Sequence, residues 1–346
     1  MPDRRTLITL AVLVAAVAVS VAVAELSGVR LIDRVVTVMC INLILVLGLQ
    51  VFMGNSGILS FAHIGFMGIG AYTTALFTLP LQMRGMVLPN LYDVLATVEL
   101  SPALGIALGG LVAAMVAAAL SFPLMRLSDA AAVITSFALL VVLHTIMVHW
   151  SEVTNGPRTF FGVPEATGLY QAAGVAVLAI VGALAFKESR TGVLLRASRD
   201  DEVAAHTIGA NVPVLRWRGF VLSAFMAGVG GGLWAHFITS FSPNAFYLKE
   251  TFVILGMLVI GGGATVTGAV VGTIAVTIAY EGLRAFENML NTEQVFDGTV
   301  VGLTEVVLAC AMIGILVLRP EGLAGSCEIG ATALFRRRPQ PTGERP

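Results

Sequence analysis

Apolar runs long enough to cross a membrane recur along the chain, separated by short polar stretches. Residues 7–24 are uncharged and apolar but for Thr9 and Ser20, behind Arg4 and Arg5. A signal peptide begins the same way, and Ala22-Val23-Ala24 has the form of a cleavage site. These 18 residues exceed a signal core of about 7–15, so the run is expected to be a first span. Similar runs predict spans over 35–53, 103–120, 131–149, 169–186, 217–238 and 299–318. Composition agrees: 57% of the 346 residues are hydrophobic and 12% charged. That is too little charge to cover a soluble domain, so the fold class is an all-α polytopic membrane protein.

Two apolar stretches are interrupted. In residues 54–77, Gly54, Asn55, Ser56, Gly57 and Ser60 would break a helix, with a new one starting near Ser60. A break at membrane depth survives only where protein or a wet cavity satisfies the freed backbone groups. Residues 251–280 carry Gly261-Gly262-Gly263 and Gly268. As one helix they would be about 45 Å long, against a bilayer core of about 30 Å. Two half-helices meeting at the glycines are expected, with one tilted span as the alternative. The total is then about ten membrane segments including broken half-helices, with both termini on one side. With the termini cytoplasmic, the inner segments hold 14 of the 20 Lys and Arg and the outer ones 6. The positive-inside rule selects that orientation. Residues 81–102, 150–168 and 281–298 read as loops, and 325–346 as a disordered cytoplasmic tail behind a membrane domain of 1–324.

A polar island covers Lys187 to Ser223 and holds six of the twenty basic residues. Leu194, Leu195, Val203 and Ile208 are apolar among charges, which predicts a short amphipathic helix from Leu194 to Ile208 stopped by Gly209. Such a helix between two spans is either a handle for a soluble partner or a solvated loop that sets topology.

The run Glu202-Val203-Ala204-Ala205-His206-Thr207-Ile208-Gly209 resembles the "EAA…G" loop of ATP-binding-cassette (ABC) importer membrane subunits. The wider run resembles branched-chain amino acid permeases of the Liv type. Gly54, Gly57, Ser60, His63, Phe66, Gly70, Ala71 and Tyr72 match a second family run, with Ala62 where glycine is expected. Thr154-Asn155-Gly156-Pro157 and Gly162-Val163-Pro164 resemble an element more typical of the M than of the H permease, with Arg158-Thr159 departing from it. Ser242-Pro243 with Phe246, and Arg319-Pro320-Glu321-Gly322-Leu323, match too, while Ala269 replaces a family proline.

The resemblance covers about residues 35–323. It implies an M-like permease in the bacterial inner membrane that imports branched-chain or related hydrophobic amino acids. Its implied partners are an H-like permease, two ABC ATPase subunits and a periplasmic amino-acid-binding protein, within membrane lipid. No cofactor is implied here, since ATP is bound and hydrolysed by the ATPases. The loop 187–216 would dock on an ATPase, with Arg199, Asp200, Glu202, Ala204, Ala205 and Gly209 as coupling residues. Small Ala204 and Ala205 would allow close approach, and charges such as Glu202 would fix register at the rim.

No Walker loop, GxSxG, HExxH or usefully spaced carboxylate pair occurs, so the sequence carries no catalytic constellation and no metal site. Nothing points to nucleic acid. Cys40, Cys310 and Cys327 form no framework. Pathway candidates are Gly54, Asn55, Gly57, Ser60 and His63 at the first break, Gly261 and Gly262 at the second, and Glu305 in the last span. Asn42, Gln50, His144 and His236 are further polar residues within spans. The residues leave open an ABC permease for amides or urea, and a cation-coupled secondary transporter using Glu305 and the broken helices directly.

Overall fold

In lipid a run of Leu, Val, Ala and Ile must satisfy its backbone internally, which leaves helix as the available form. The computed structural model describes residues 4–127, 129–292, 302–319, 321–325 and 328. Its helices are α1 (Arg4–Ser27), α2 (Arg30–Leu49), α3 (His63–Thr78), α4 (Leu81–Val87), α5 (Asp93–Ala96), α6 (Pro102–Leu124), α7 (Asp129–His149) and α8 (Ser151–Thr154). They continue as α9 (Leu169–Glu188), α10 (Arg190–Asp200), α11 (Glu202–Thr207), α12 (Val212–Ile238), α13 (Leu248–Gly261), α14 (Val266–Thr292) and α15 (Leu303–Leu318). A π-helical turn, Gln50–Gly54, extends α2.

Among the described residues, eight helical segments are long and apolar enough to cross a membrane: α1, α2 with its π turn, α6, α7, α9, α12, Pro243–Gly261 and α14. The expected count of ten is reached only by adding α3 and α15, of 16 residues each. One expectation is corrected. The stretch 251–280 does break at the glycines, but neither side is a half-helix: α13, with 14 residues, completes the 19-residue segment Pro243–Gly261. α14 runs 27 residues, about 40 Å, and absorbs most of the polar segment read as a loop. Leu283, Arg284, Ala285, Glu287, Met289 and Leu290 are good helix formers, so charge beyond the apolar run does not end the helix.

Three helices pack most closely on one another, while α2 is the most buried of the candidate spans. α12 packs on both α3 and α6, and α3 on α6. The approach is close because glycines face each other there: a Cβ on Gly70 would fall on the Gly228 backbone, and one on Gly231 on the backbone of Met67. Close small-residue contact is how apolar helices gain packing energy where lipid offers no hydrophobic drive. The Thr74 hydroxyl donates to Gly105 O at 3.1 Å. Leu104, Leu111 and Met115 on α6, Ile134 and Val142 on α7 and Leu178 on α9 point outward, exposed. Bare apolar side chains around a glycine-packed centre are the arrangement a bilayer requires.

The two ends of the bundle differ. At one end, α9 leads into the polar island. At the other, Phe160 and Phe241 exchange backbone hydrogen bonds of 2.7 and 2.9 Å. Tyr72, Phe246 and Trp234 cluster with them. Arg84 also lies at this end, donating to the carbonyls of Leu79, Leu95 and Val98. That wiring folds α4 and α5 within the stretch read as a mixed loop.

Candidate functional site

The island is two helices rather than one. Ser189 caps α10 by accepting from Gly192 N, and Asp201 breaks the helix with φ −153° and ψ 108°. Its carboxylate then caps α11 by accepting from Ala204 N at 2.9 Å. An aspartate that satisfies an orphan N–H is a helix start, and this signal was missed when the run was read as one amphipathic helix. Gly209 ends α11 at φ +83°, the left-handed region where a Cβ is penalised.

The residues expected to couple fall on both faces. Ala205 is buried with Leu195, Ala210, Val212 and Leu215 in a small core of the island's own, so it faces inward and cannot meet another protein. Glu202 is half-buried, and its carboxylate pairs at 2.8 Å with Arg216, whose side chain is 6% exposed. It holds α11 onto α12. Ala204 is exposed, as are Asp200, Val203 (75%) and Ile208 (69%). α11 and the residue that follows it thus present two bare aliphatic side chains from a short, firmly anchored helix.

Both helix breaks lie against this island. The Arg199 guanidinium donates to Gly54 O at 2.9 Å, and Arg196 to Asn55 Oδ1 at 3.0 Å. A Cβ on Gly57 would meet Cγ of Arg199 at 2.6 Å. α2 with its π turn has 25 residues, about 37 Å, so the break follows a complete span and is not at mid-membrane. The next helix starts at His63, whose ring bonds the Ser223 hydroxyl, and Ser223 donates to Gly48 O. His63 therefore ties α3 to α12 and α2.

The second break is at the same end. Gly262 ends α13 at φ +113°, and the segment 321–325 lies over it, with Leu323 N donating to Ile260 O and Ala324 N to Gly261 O. Glu328 accepts from Val266 N at 2.8 Å and Thr267 N at 3.0 Å, capping α14, and pairs with Lys187 at the end of α9. Burial alone would raise the Glu328 carboxyl, but Lys187, the Thr267 hydroxyl and the Val266 N–H outweigh it and hold it below the usual carboxylate range. The residues read as a tail otherwise lie outside the described ones, as does Cys327.

Glu305 is at the far end, in the first turn of α15, paired with Lys249 at 2.7 Å. It borders a mainly apolar cleft of about 460 Å³ between α13, α14 and α15. Of the other polar span residues, His236 bonds Pro164 O at 2.7 Å, and His144 stacks on Tyr247. Asn42 lines a separate cavity between α2, α12, α13 and α14, with Arg34 and Glu250. Those two charges went unnoticed because each stands just outside the apolar run of its own segment.

The pattern of the family described as "Branched-chain amino acid transport system / permease component" matches residues 31–316. The chain is 26% identical to the high-affinity branched-chain amino acid transport system permease protein LivM of Salmonella typhimurium, over 84% of this chain and 69% of that one. The same figures hold for LivM of Escherichia coli. The nucleoside ABC transporter permease protein NupC of Lactococcus lactis is 32% identical over 25% of this chain and 27% of that protein. No solved structure matches the chain.

Proposed function

The chain belongs to the branched-chain amino acid transport permease family, and on that premise we propose that it is the transmembrane permease subunit of an ABC importer. It moves branched-chain or related hydrophobic amino acids inward across a bacterial inner membrane. Two ABC ATPase subunits supply the drive, a second permease completes the pathway, and a periplasmic amino-acid-binding protein delivers substrate. The termini and α10–α11 face the cytoplasm, in keeping with the excess of Lys and Arg at that end. No reaction on the substrate is assigned to this chain. ATP turnover elsewhere needs only two packings of the spans, one for each nucleotide state.

The observation that carries this reading is α11. A six-residue helix that is capped by Asp201, pinned by Glu202 to Arg216 and left with Val203 and Ile208 bare is suited to a partner's groove. A solvated topology loop has no use for that construction. The test is reconstitution in vesicles. Uptake of leucine should require ATP, the ATPases and the binding protein. Val203→Asp with Ile208→Asp should leave membrane abundance normal while the ATPases no longer co-purify. Uptake by the chain alone under a proton or sodium gradient would overturn the reading in favour of a secondary transporter.

A further inference from the structure

The halves of α2, α12, α13 and α14 remote from the island enclose a cavity of about 340 Å³, within the range of small-molecule sites. Val38, Val253 and Met257 give it apolar walls, while Arg34 and Glu250 stand on its side away from the island. Arg34 is exposed and Glu250 half-buried. Among the described residues neither forms an ion pair, while Lys249, beside Glu250, is taken by Glu305. Glu281 and Arg284, also on the lining, lie 3.9 Å apart on one helix. Arg34 rests over the Phe237 ring and borders both adjoining cavities, so it stands where all three meet. Nearer the island, Thr277 is 6% exposed, lines the cavity, and has a hydroxyl with no partner among the described residues.

A cleft of mixed lining, with apolar walls, a cation and an anion outside any ion pair and a free hydroxyl, matches a free α-amino acid with an aliphatic side chain. Such a ligand brings a carboxylate and an ammonium on one carbon, so both unpaired charges are satisfied together. We propose that this cavity binds a free aliphatic α-amino acid within the permease itself. Arg34 takes the carboxylate, Glu250 takes the ammonium, and the side chain lies against Val38, Val253 and Met257. The proposal rests on the amino-acid importer reading above and adds a selective site in this chain to it.

The two charges predict a chemical signature. Leucinamide lacks the carboxylate and leaves Arg34 unpaired, and 4-methylpentanoate lacks the ammonium and leaves Glu250 unpaired. Each should bind about tenfold or more weakly than leucine, the scale of a lost charged hydrogen bond. The experiment uses the full chain in its detergent-solubilised complex with the ATPases, without the binding protein. Val38→Cys, in a background whose native cysteines are replaced by alanine, reports occupancy through its rate of maleimide labelling. Asn42→Cys serves as a second reporter.

Leucine should slow labelling, and the two analogues at the same concentration should not. Arg34→Gln and Glu250→Gln should each abolish the protection, while Arg34→Lys keeps part of it, with ATPase co-purification reporting intact assembly. Equal protection by all three compounds, or none by leucine, overturns the site. ATP-driven uptake by the same protein reconstituted in vesicles with the ATPases and the binding protein separates the two claims. Uptake without protection overturns this site alone, whereas protection without ATP-driven uptake supports the site and counts against the importer reading.

Discussion

Glycine builds two places in this molecule and does different work in each. In the α3–α6–α12 trio, Gly70, Gly109, Gly228 and Gly231 let three separate spans touch along their lengths, far apart in sequence and buried. In the α13–α14 hairpin, Gly261, Gly268 and Gly272 let two consecutive helices fold back on each other. That hairpin is tied down from outside by polar groups: the 321–325 segment, the Glu328 carboxylate and Lys187. It also forms a wall of the cavity with Arg34 and Glu250 and of the cleft toward α15. Backbone meets backbone in both places, so the difference lies in what surrounds the contacts. The hairpin has a removable tie at one end and open volume at the other. Transport that needs two packings of the spans finds its second one more readily in the hairpin than in the trio.

The largest expected effect breaks the trio. Gly70→Val places side-chain atoms on the Gly228 backbone. Overpacking costs about 1–3 kcal/mol where neighbours can move, and a helix backbone moves less than a side chain. The variant should fail to accumulate as a monodisperse protein, or melt far below the wild type. Gly174→Val on α9, where a Cβ meets nothing within 4 Å, should be close to silent. A Gly70→Val protein with an unchanged melting temperature by fluorescence-detected gel filtration would remove the contrast between the two glycine sites.

An intermediate effect concerns the hairpin's tie. Glu328→Gln removes the ion pair to Lys187 and weakens the cap on α14, a loss of about 1.5–3 kcal/mol by the scale of charged hydrogen bonds. The carboxyl is held below its ordinary value in the folded protein. Its contribution is therefore full above the unfolded value, about 4.3 for glutamate, and is lost as pH falls through the lower folded one. The melting-temperature gap between wild type and Glu328→Gln should be constant near neutrality and close below about pH 4.3. A gap that persists unchanged into strong acid would mean that Glu328 acts by packing rather than by charge.

How much of this was legible depended on whether the cause lay within a few residues. Span existence, the glycine breaks and the Gly209 stop were readable because apolar length and a local turn preference determine them. The direction in which each island residue faces was not. Ala205 and Glu202 sit in a motif that reads as a contact surface, yet Ala205 is buried with Leu195 and Glu202 pairs with Arg216, contacts that exist only once α10, α11 and α12 fold together. The depth of the two breaks was misjudged for a related reason. Residue count within one stretch does not tell where the preceding helix began, and α2 starts at Arg30, five residues before its apolar run. The cavity with Arg34 and Glu250 joins helices about two hundred residues apart in the chain, so no spacing rule could announce it.

The smallest expected effect sharpens the comparison at the hairpin's other end, where two neighbouring residues of α13 carry opposite charges toward different cavities. Lys249 pairs with Glu305 beside the cleft with α15, while Glu250 lines the cavity with Arg34, and Val253 is common to both linings. Read from sequence, Glu305 was a carboxylate inside an apolar span and so a pathway candidate. Its position in the first turn of α15 favours a negative charge by the helix dipole. Its pair with Lys249 is solvent-accessible, at 40% and 60% side-chain exposure. Ion pairs of that kind are worth about 0–1 kcal/mol. Glu305→Gln should therefore shift the melting temperature little and leave ATP-driven leucine uptake within about twofold of wild type, on the scale of a weak surface pair. Glu250→Gln, one residue from the partner lysine, should lower uptake much more at equal stability. Uptake measured for both variants in one set of vesicles decides the matter. If Glu305→Gln stops transport and Glu250→Gln does not, the working side of the hairpin is the cleft toward α15, and the contrast between a rigid trio and a moving hairpin must be redrawn around that face.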